Sequence, residues 1–295
     1  MAENPEIRIE KLRKLIHQYR YDFHVLDKET ISPEALDSLK KELTELEQKH
    51  PEFYDAHSPT QRVAGVAIDK FSKVTHKIQQ WSYNDAFSEK DMIAFNERIN
   101  RYLKRDIQTP IEYTCELKID GLKVVLEYEK GKLIRAATRG DGLIGEDVTH
   151  NIRTVQSLPL VLTMPLSIIV EGEVWVSKKN FALLNERQKA AGLPLYANPR
   201  NIAAGTVRQL DPSIAASRNL DVFVYDLAYI DDQKNAPQSQ YDELQFLKKL
   251  GFKVNPHAQK VKDIQGVLAY WTHWKDVFKK EDYLIDGVVV KVNSH

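Results

Sequence analysis

A lysine alternates with acidic residues in the segment 115–121, whose sequence is CELKIDG. Because side chains alternate between the two faces of a strand, Lys118 and Asp120 would lie on one face. A lysine amine is a nucleophile only when it is deprotonated, and burial or neighbouring cations lower its pKa enough for that near neutral pH. The segment therefore has two interpretations: a lysine that forms a covalent intermediate, or a plain ion pair between Lys118 and Asp120.

Two further clusters combine charged residues with glycine. In residues 138–142, TRGDG, the glycines would let backbone N–H groups approach a phosphate that Arg139 could also bind, or they would only form a tight turn. In EGEVW, Glu171 and Glu173 would share one strand face. Two carboxylates there suit a hydroxyl or a hard divalent cation, or they simply face solvent.

The last two clusters lie nearer the C-terminus. Residues 198–212 place small residues between Arg200 and Arg208, which suits either an anion or a tight contact between helices. Lys291 stands near the end of the apolar run IDGVVVKV at 285–292, where its side chain should face solvent or a ligand.

The elements that must position these clusters begin with a helical hairpin. Ser32 followed by Pro33 predicts a second helix that ends before Pro51. The first helix is predicted over 6–26, from apolar residues at steps of three and four. Its apolar face is expected to consist of Leu12, Leu15, Ile16, Tyr19, Phe23 and Leu26.

After Pro110 the sequence becomes rich in β-branched and aromatic residues, which predicts a sheet-containing domain. Strands are predicted over 113–118, 122–128, 133–138, 168–176, 220–230 and 285–292, with a hairpin turn at 129–131. Helices are predicted over 88–103, 177–192, 241–250 and 262–280. The fold class is therefore α+β, with mainly antiparallel sheets and flanking helices after a small α-helical hairpin.

The composition restricts the class of protein. The 295 residues include 42 Lys+Arg and 42 Asp+Glu, and 42% are hydrophobic, which excludes wholesale disorder. No apolar run reaches the roughly 18–20 residues that would span a membrane, so no membrane partner is expected. The single cysteine, Cys115, excludes a disulfide framework and a multi-cysteine zinc site within the chain. With no signal-peptide pattern, a cytoplasmic location is expected, in the host if the chain is viral.

In this order along the chain, the clusters resemble the adenylation region of the NAD-dependent DNA ligases. The matching text is CELKIDG, TRGDG with GEDVT and NIRT, EGEVW, ANPRNIAAGTVRQLDP and IDGVVVKVNS, with SPTQRVAG and WSYNDAF upstream. The resemblance runs from about residue 10 to residue 293. It implies a nucleotidyltransferase fold, divided into a helical NAD-recognition subdomain at 1–65 and an adenylation domain at 66–295.

The resemblance also implies a reaction. Lys118 would attack the α-phosphate of NAD, form lysyl-AMP and release nicotinamide mononucleotide (NMN), and the AMP would then pass to the 5′-phosphate of a nick in double-stranded DNA. Asp120, Glu173 and Asp286 would tune Lys118 or hold Mg²⁺, and Arg200 and Arg208 would support the site. The implied nucleotide contacts are Glu116, Arg139, Glu173, Lys291, Tyr225, Ser82 and Tyr83.

The hairpin would bind the nicotinamide half of NAD. The residues implied are Phe23, His24, Pro33, Leu36 and Asp37. The family usually has Tyr, Asp and Tyr where this chain has Phe23, Pro33 and Leu36, so polar contacts are lost. Two alternatives therefore stay open: an ATP-using nucleotidyltransferase similar to RNA ligases, and a non-catalytic subunit or scaffold.

The family continues past the matched motifs. It has one more phosphate-contacting Lys, an OB-fold, a Cys₄ zinc module, helix-hairpin-helix repeats and a BRCT domain, none of which lies in 1–295. A second polypeptide or a missing C-terminal region is expected to supply them and to pair with the strand at 285–292. Zero net charge agrees with weak DNA binding by this chain, because phosphate contacts by Lys and Arg dominate DNA affinity.

Overall fold

The fold was analysed in a computed structural model that describes residues 4–62, 70–106 and 108–295. The helices are α1 (Pro5–His24), α2 (Pro33–Lys49), α3 (Glu89–Tyr102), α4 (Thr149–Ile152), α5 (Lys178–Ala190), α6 (Pro199–Val207), α7 (Pro212–Ser217), α8 (Gln240–Lys249) and α9 (Ile264–Val277). The strands are β1 (Lys73–Thr75), β2 (Tyr113–Ile119), β3 (Leu122–Glu129), β4 (Lys132–Thr138), β5 (Ile144–Glu146), β6 (Ile168–Trp175), β7 (Asp221–Ile230), β8 (Gln259–Val261) and β9 (Ile285–Val292). The expected boundary at 65/66, and residues 63–65 of SPTQRVAG, lie outside the described residues.

The strands form antiparallel sheets, as the sequence predicts. The largest has the order β4-β3-β6-β7, a second has the order β8-β2-β9, and β1 pairs with β5. The predicted turn between β3 and β4 is confirmed, with positive φ at Lys130 and Gly131. The α+β fold class is therefore confirmed. Within the described sheets, β9 is an edge strand that pairs with β2.

An apolar core lies on each face of the largest sheet. Val170, Val174 and Val224 point into a core that is closed by helices α5, α6 and α8. On the opposite face, Trp175 and Phe223 stack in a second core shared with the β8-β2-β9 sheet and α9. The two sheets therefore meet along the face that carries the odd-numbered residues of β6.

The helical hairpin has a core of its own, made by Ile9, Leu12 and Ile16 of α1 and Leu43 of α2. The apolar face predicted for α1 is wrong at its C-terminal end, where Phe23 and Leu26 are exposed. The buried stripe advances in steps of three and four residues, so after Ile16 it reaches position 20. Arg20 is accordingly buried.

The segment after the hairpin is tied to the larger domain by buried polar contacts. Arg62 donates from Nη1 to the carbonyl oxygens of Arg153 (3.1 Å) and Val155 (2.9 Å), and from Nη2 to that of Leu158 (2.8 Å). His57 Nε2 lies 2.9 Å from the carbonyl oxygen of Leu133. These contacts fix the hairpin beside β4 and the loop after α4. No helix in the described ranges is long and apolar enough to cross a membrane.

Two glycine-to-alanine substitutions should have opposite effects on stability. A Cβ at Gly121, just after β2, would lie 2.2 Å from the carbonyl oxygen of Val174. The backbone would have to shift, so Gly121→Ala should lower the free energy of unfolding by about 1–3 kcal/mol. At Gly205 in α6 a Cβ would meet no neighbouring atom of the described chain within 4 Å. Gly205→Ala should therefore raise the free energy by about 0.5–1 kcal/mol.

Urea denaturation of the two variants and the wild type measures both changes. Equal destabilisation by the two substitutions would contradict the close approach of β2 and β6 at Gly121.

Candidate functional site

The site is built on the pairing of β2 with β9. In this register Lys118 lies opposite Gly287, and Thr114 lies opposite Lys291. Tyr113, Cys115 and Leu117 of β2 are buried in the second core. The alternation of side chains therefore puts Lys118 and Glu116 on the other face, together with Lys291.

A bulge in β9 places a carboxylate beside Lys118. The register passes from the Lys118–Gly287 pair to the Ile119–Ile285 pair, which leaves Asp286 as the extra residue. Asp286 Oδ2 lies 2.6 Å from Lys118 Nζ. The Lys118 side chain is 47% exposed, so a ligand can reach its amine.

The second interpretation of this segment, a plain ion pair between Lys118 and Asp120, is wrong. Asp120 instead accepts a hydrogen bond from Nη1 of Arg200 at 3.0 Å. The bulge at Asp286 instead places that carboxylate at hydrogen-bond distance from the Lys118 amine. Arg200 reaches Asp120 from the first turn of α6.

In contrast to Lys118, Lys291 is buried, and hydrogen-bond acceptors surround its ammonium group. Its Nζ donates to Asp226 Oδ1 (3.0 Å) and to the carbonyl oxygen of Tyr225 (3.1 Å), and lies 3.3 Å from Glu116 Oε1. Burial lowers the pKa of Lys291, but the carboxylates of Glu116 and Asp226 outweigh it and raise the pKa overall. Gln240 Nε2 also donates to the Tyr225 carbonyl (3.1 Å). Lys291 is thus a fixed cation.

Two aromatic rings flank the Lys291 ammonium. The centroid of the Tyr225 ring lies 5.6 Å from Nζ and that of the Tyr83 ring lies 5.8 Å from it. Tyr225 is the extra residue of a bulge in β7, because Glu171 pairs with Asp226 while the next residue pairs with Val224. Ser82, next to Tyr83, is exposed. The rings offer flat surfaces on which a planar base can stack.

Glu173 faces Lys118 from the neighbouring sheet. Burial raises the pKa of Glu173 to about 7, against the opposing effects of Arg200, Lys118 and Lys123. Lys123 itself pairs with Glu171 at 2.5 Å. The region between the two sheets therefore holds a carboxyl group that titrates near neutral pH, surrounded by cations.

The glycine-rich segment 138–142 forms the turn that its residues predict. Gly140 has φ +58°, and a Cβ there would lie 1.7 Å from the carbonyl oxygen of Ile144. Arg139, at the start of this loop, has an exposed side chain. Arg208 Nε pairs nearby with Glu146 Oε2 at 2.7 Å, on the strand β5 that follows the loop. Arg139 and Arg208 therefore belong to this loop region.

The three expected metal ligands do not form a metal site. Asp120 is paired with Arg200, and Asp286 is paired with Lys118. Within the described ranges no three His, Cys, Asp or Glu side chains are close enough to hold a metal ion. Asp120, Glu173 and Asp286 therefore do not fit a site for Mg²⁺ made by this chain.

The hairpin residues are not brought to Lys118. Phe23 packs edge-on against His24 with ring centroids 4.9 Å apart, and Asp37 pairs with Lys40 at 2.9 Å. Leu36 packs against the hairpin core, and Pro33 begins α2. Among the described residues, no hydrogen bond or ion pair joins these five positions to Lys118 or Lys291.

Two residues of the site were not predicted from the sequence. Asp226 pairs with Lys291, and the signal available was a single carboxylate in the otherwise apolar run VFVYDLAYI. Gln240 Nε2 lies 3.4 Å from Glu116 Oε1. Nothing in the sequence marks Gln240, because it is simply the first residue of an amphipathic helix.

Comparison with known proteins gives the family. The family model described as NAD-dependent DNA ligase adenylation domain matches residues 68–295, and the one described as DNA ligase-like, N-terminal NAD+-binding domain matches residues 2–64. A DNA ligase of Thermotoga neapolitana is 44% identical over 97% of this chain and 40% of its own length. One of Shouchella clausii is 46% identical over 98% of this chain and 42% of its own length. The chain thus spans about two fifths of the length of these relatives.

Glu173 should make stability depend on pH. Its pKa is about 7 in the folded chain and 4.5 as an ordinary glutamate, so between these values the folded state holds a proton that the unfolded state lacks. This contribution is full below pH 4.5 and is lost as pH rises through 7. The free energy of unfolding of Glu173→Gln, minus that of the wild type, should increase by about 1–3 kcal/mol between pH 4.5 and pH 8.

Urea denaturation of both proteins across this pH range measures the difference. A difference that stays constant with pH would show that Glu173 is not held in the buried, proton-retaining environment described here.

Proposed function

Because the chain belongs to the family of NAD-dependent DNA ligase adenylation domains, we propose that it transfers AMP from NAD to its own Lys118. One observation carries the proposal: an exposed lysine amine with a carboxylate 2.6 Å away, on the sheet face that also carries a buried, fixed lysine. The exposed amine suits a nucleophile and the fixed one suits a phosphate or nucleotide contact.

The chemical step forms one bond and breaks one. Lys118 Nζ attacks the α-phosphorus of NAD, a phosphorus–nitrogen bond forms, and the bond to the bridging oxygen breaks, releasing NMN with its phosphate. The amine must lose a proton, and Asp286 Oδ2 is already at hydrogen-bond distance to accept it. Splitting a difficult transfer into two easier ones is the usual advantage of such a covalent intermediate.

The surrounding residues would bind the adenylate. Tyr225 and Tyr83 provide ring faces for adenine, and Lys291 between them provides a permanent positive charge. Arg200 and Lys123, which act electrostatically on Glu173, add positive charge on the side of Lys118. This charge distribution would stabilise the negative charge that develops on the transferring phosphoryl group.

The later steps involve DNA and other parts of a ligase. We propose that the AMP passes from Lys118 to the 5′-phosphate of a nick in double-stranded DNA. The relatives are more than twice as long as this chain, so sealing would use modules outside the matched region. The exposed edge of β9 is a suitable place for such a module to pair.

Lys118→Ala should abolish covalent labelling by NAD. Incubation of the wild type with NAD and Mg²⁺ should add the mass of one AMP, which peptide mapping should place on Lys118. Lys189→Ala is the control, because Lys189 is an exposed lysine in the last turn of α5 that has no role in the proposed site. The control should keep the label.

The same experiment distinguishes the alternatives. Labelling by ATP alone would favour the ATP-using nucleotidyltransferase, and no labelling by either nucleotide would favour the non-catalytic subunit. A label that persists in Lys118→Ala would refute the assignment of the nucleophile.

The NAD-recognition role of the hairpin gives a separate expectation. We propose that His24 contacts the nicotinamide half of NAD, so His24→Ala should raise KM for NAD about tenfold or more while leaving kcat less affected. His50→Ala, at the far end of α2, serves as the control. Release of NMN measured at varied NAD concentrations gives both constants, and an unchanged KM for His24→Ala would count against this role.

A further inference from the structure

The edge of β7 that carries Tyr225 is covered by side chains of a helix. Among the described strands β7 is an edge strand of the largest sheet, and two register shifts against β6 interrupt it, at Tyr225 and at Ala228. Backbone groups along such an edge need partners from outside the sheet. Helix α8, which packs into the core of this sheet through Leu244 and Leu247, supplies two of these partners.

Gln240 and Glu243 of α8 bind the backbone on either side of Asp226. Gln240 Nε2 donates to the carbonyl oxygen of Tyr225 at 3.1 Å. Glu243 Oε1 accepts from the backbone N–H of Leu227 at 2.8 Å. The two side chains stand three residues apart, hence on one face of the helix, and are 4% and 5% exposed. The irregular part of β7 is therefore held from outside by two buried polar groups of one helix.

Glu243 can make its contact in either protonation state. Burial, followed by the charge of Asp226, raises the pKa of Glu243 to about 8. The protonated carboxyl group keeps an oxygen that accepts a hydrogen bond, and the side chain of a glutamine offers the same acceptor. A methionine fills a similar volume without this acceptor, so the two substitutions separate the hydrogen bond from the packing.

The same helix is attached to the end of β9, the strand that carries Lys291. The backbone N–H of Gln240 donates to the carbonyl oxygen of Asn293 at 2.8 Å, and that of Tyr241 donates to Asn293 Oδ1 at 3.1 Å. Asn293 Oδ1 also accepts from the Thr114 hydroxyl at 2.8 Å, which ties it to β2. Helix α8 therefore connects β7 with both strands that carry the lysines of the site.

We propose that Gln240 and Glu243 are positioning residues, which hold the surface on which the adenylate binds. The Tyr225 carbonyl oxygen accepts from both Gln240 and Lys291, at 3.1 Å each. Two donors on this oxygen fix the peptide plane after Tyr225, and thereby the directions of the Tyr225 ring and of the Asp226 carboxylate. The inference rests on the proposed function, from which it takes the adenylate as the ligand.

The first test measures binding of AMP to the full chain, which requires no transfer to Lys118. Gln240→Met removes the donor and keeps the length of the side chain, so it should weaken AMP binding about tenfold in calorimetric titration. Its midpoint of thermal unfolding should fall by no more than about 4 °C, because Lys291 still donates to the Tyr225 carbonyl. Gln245→Met is the matched control, since the Gln245 side chain lies in the same helix and makes no hydrogen bond within the described part of the chain.

The second test follows the Leu227 amide by hydrogen exchange. This amide should be protected in the wild type and in Glu243→Gln, and should exchange about tenfold faster or more in Glu243→Met, where its acceptor is lost. AMP binding should follow the same order, with the wild-type affinity kept in Glu243→Gln and about tenfold weaker binding in Glu243→Met. Rescue by glutamine would show that the hydrogen bond, and not the filled volume, matters for binding.

The labelling reaction gives a third measurement. Gln240→Met should raise the NAD concentration that gives half the maximal labelling rate about tenfold, while the rate at saturating NAD should stay within about twofold of the wild type. The reason is that the contact between Lys118 and Asp286 involves neither α8 nor β7.

Three results would overturn the inference. One is AMP binding that is unchanged in Gln240→Met, or weakened equally in Gln245→Met. Another is a Leu227 amide that exchanges equally fast in Glu243→Met and Glu243→Gln. The third is a wild type that binds no AMP. A wild type that binds AMP but is not labelled by NAD would instead refute the proposed function alone, because the binding and exchange measurements do not depend on the transfer.

Discussion

The antiparallel pairing of β2 with β9 is the constraint on which the site depends. It joins residues that are far apart in the chain, with Thr114 opposite Lys291 and Lys118 opposite Gly287. A slip of one residue would exchange the two faces of β2, sending Lys118 into the apolar core and Cys115 out of it. The burial of Tyr113, Cys115 and Leu117 therefore fixes the direction of the reactive lysine as firmly as any contact that Lys118 itself makes.

The two lysines on this face differ because their surroundings differ. Lys118 is half exposed and has one carboxylate partner, whereas Lys291 is buried among Glu116, Asp226 and a carbonyl oxygen. Buried ion pairs add little net stability, since desolvation offsets their attraction, but they hold groups in position. In the proposed mechanism the accessible lysine reacts and the fixed one binds. The same reasoning makes Arg20 notable, because it is buried without the carboxylates that accompany Lys291.

Much of the fold and part of the site could be predicted from the sequence, and the failures have physical causes. Alternating and helical apolar patterns located the long elements, and the motif residues Glu116, Lys118, Lys291, Tyr225 and Glu173 do come together. The resemblance names Asp286 among the carboxylates that would tune Lys118, whereas the spacing of the residues alone suggests Asp120, because no local pattern announces the β-bulge that presents Asp286 to the lysine. Short elements such as β5 and α4 span too few residues to show a period. The burial of Arg20 was not predicted, because burial of a charge depends on tertiary contacts and not on residue type.

The structure of the chain after reaction with NAD, determined by crystallography, tests the central claim most directly. The account predicts a covalent bond from Lys118 Nζ to the phosphorus of AMP, with the contact to Asp286 broken, adenine against Tyr225, and Lys291 still in its place on the same face. Electron density for AMP on another side chain, with Lys118 still paired to Asp286, would contradict it.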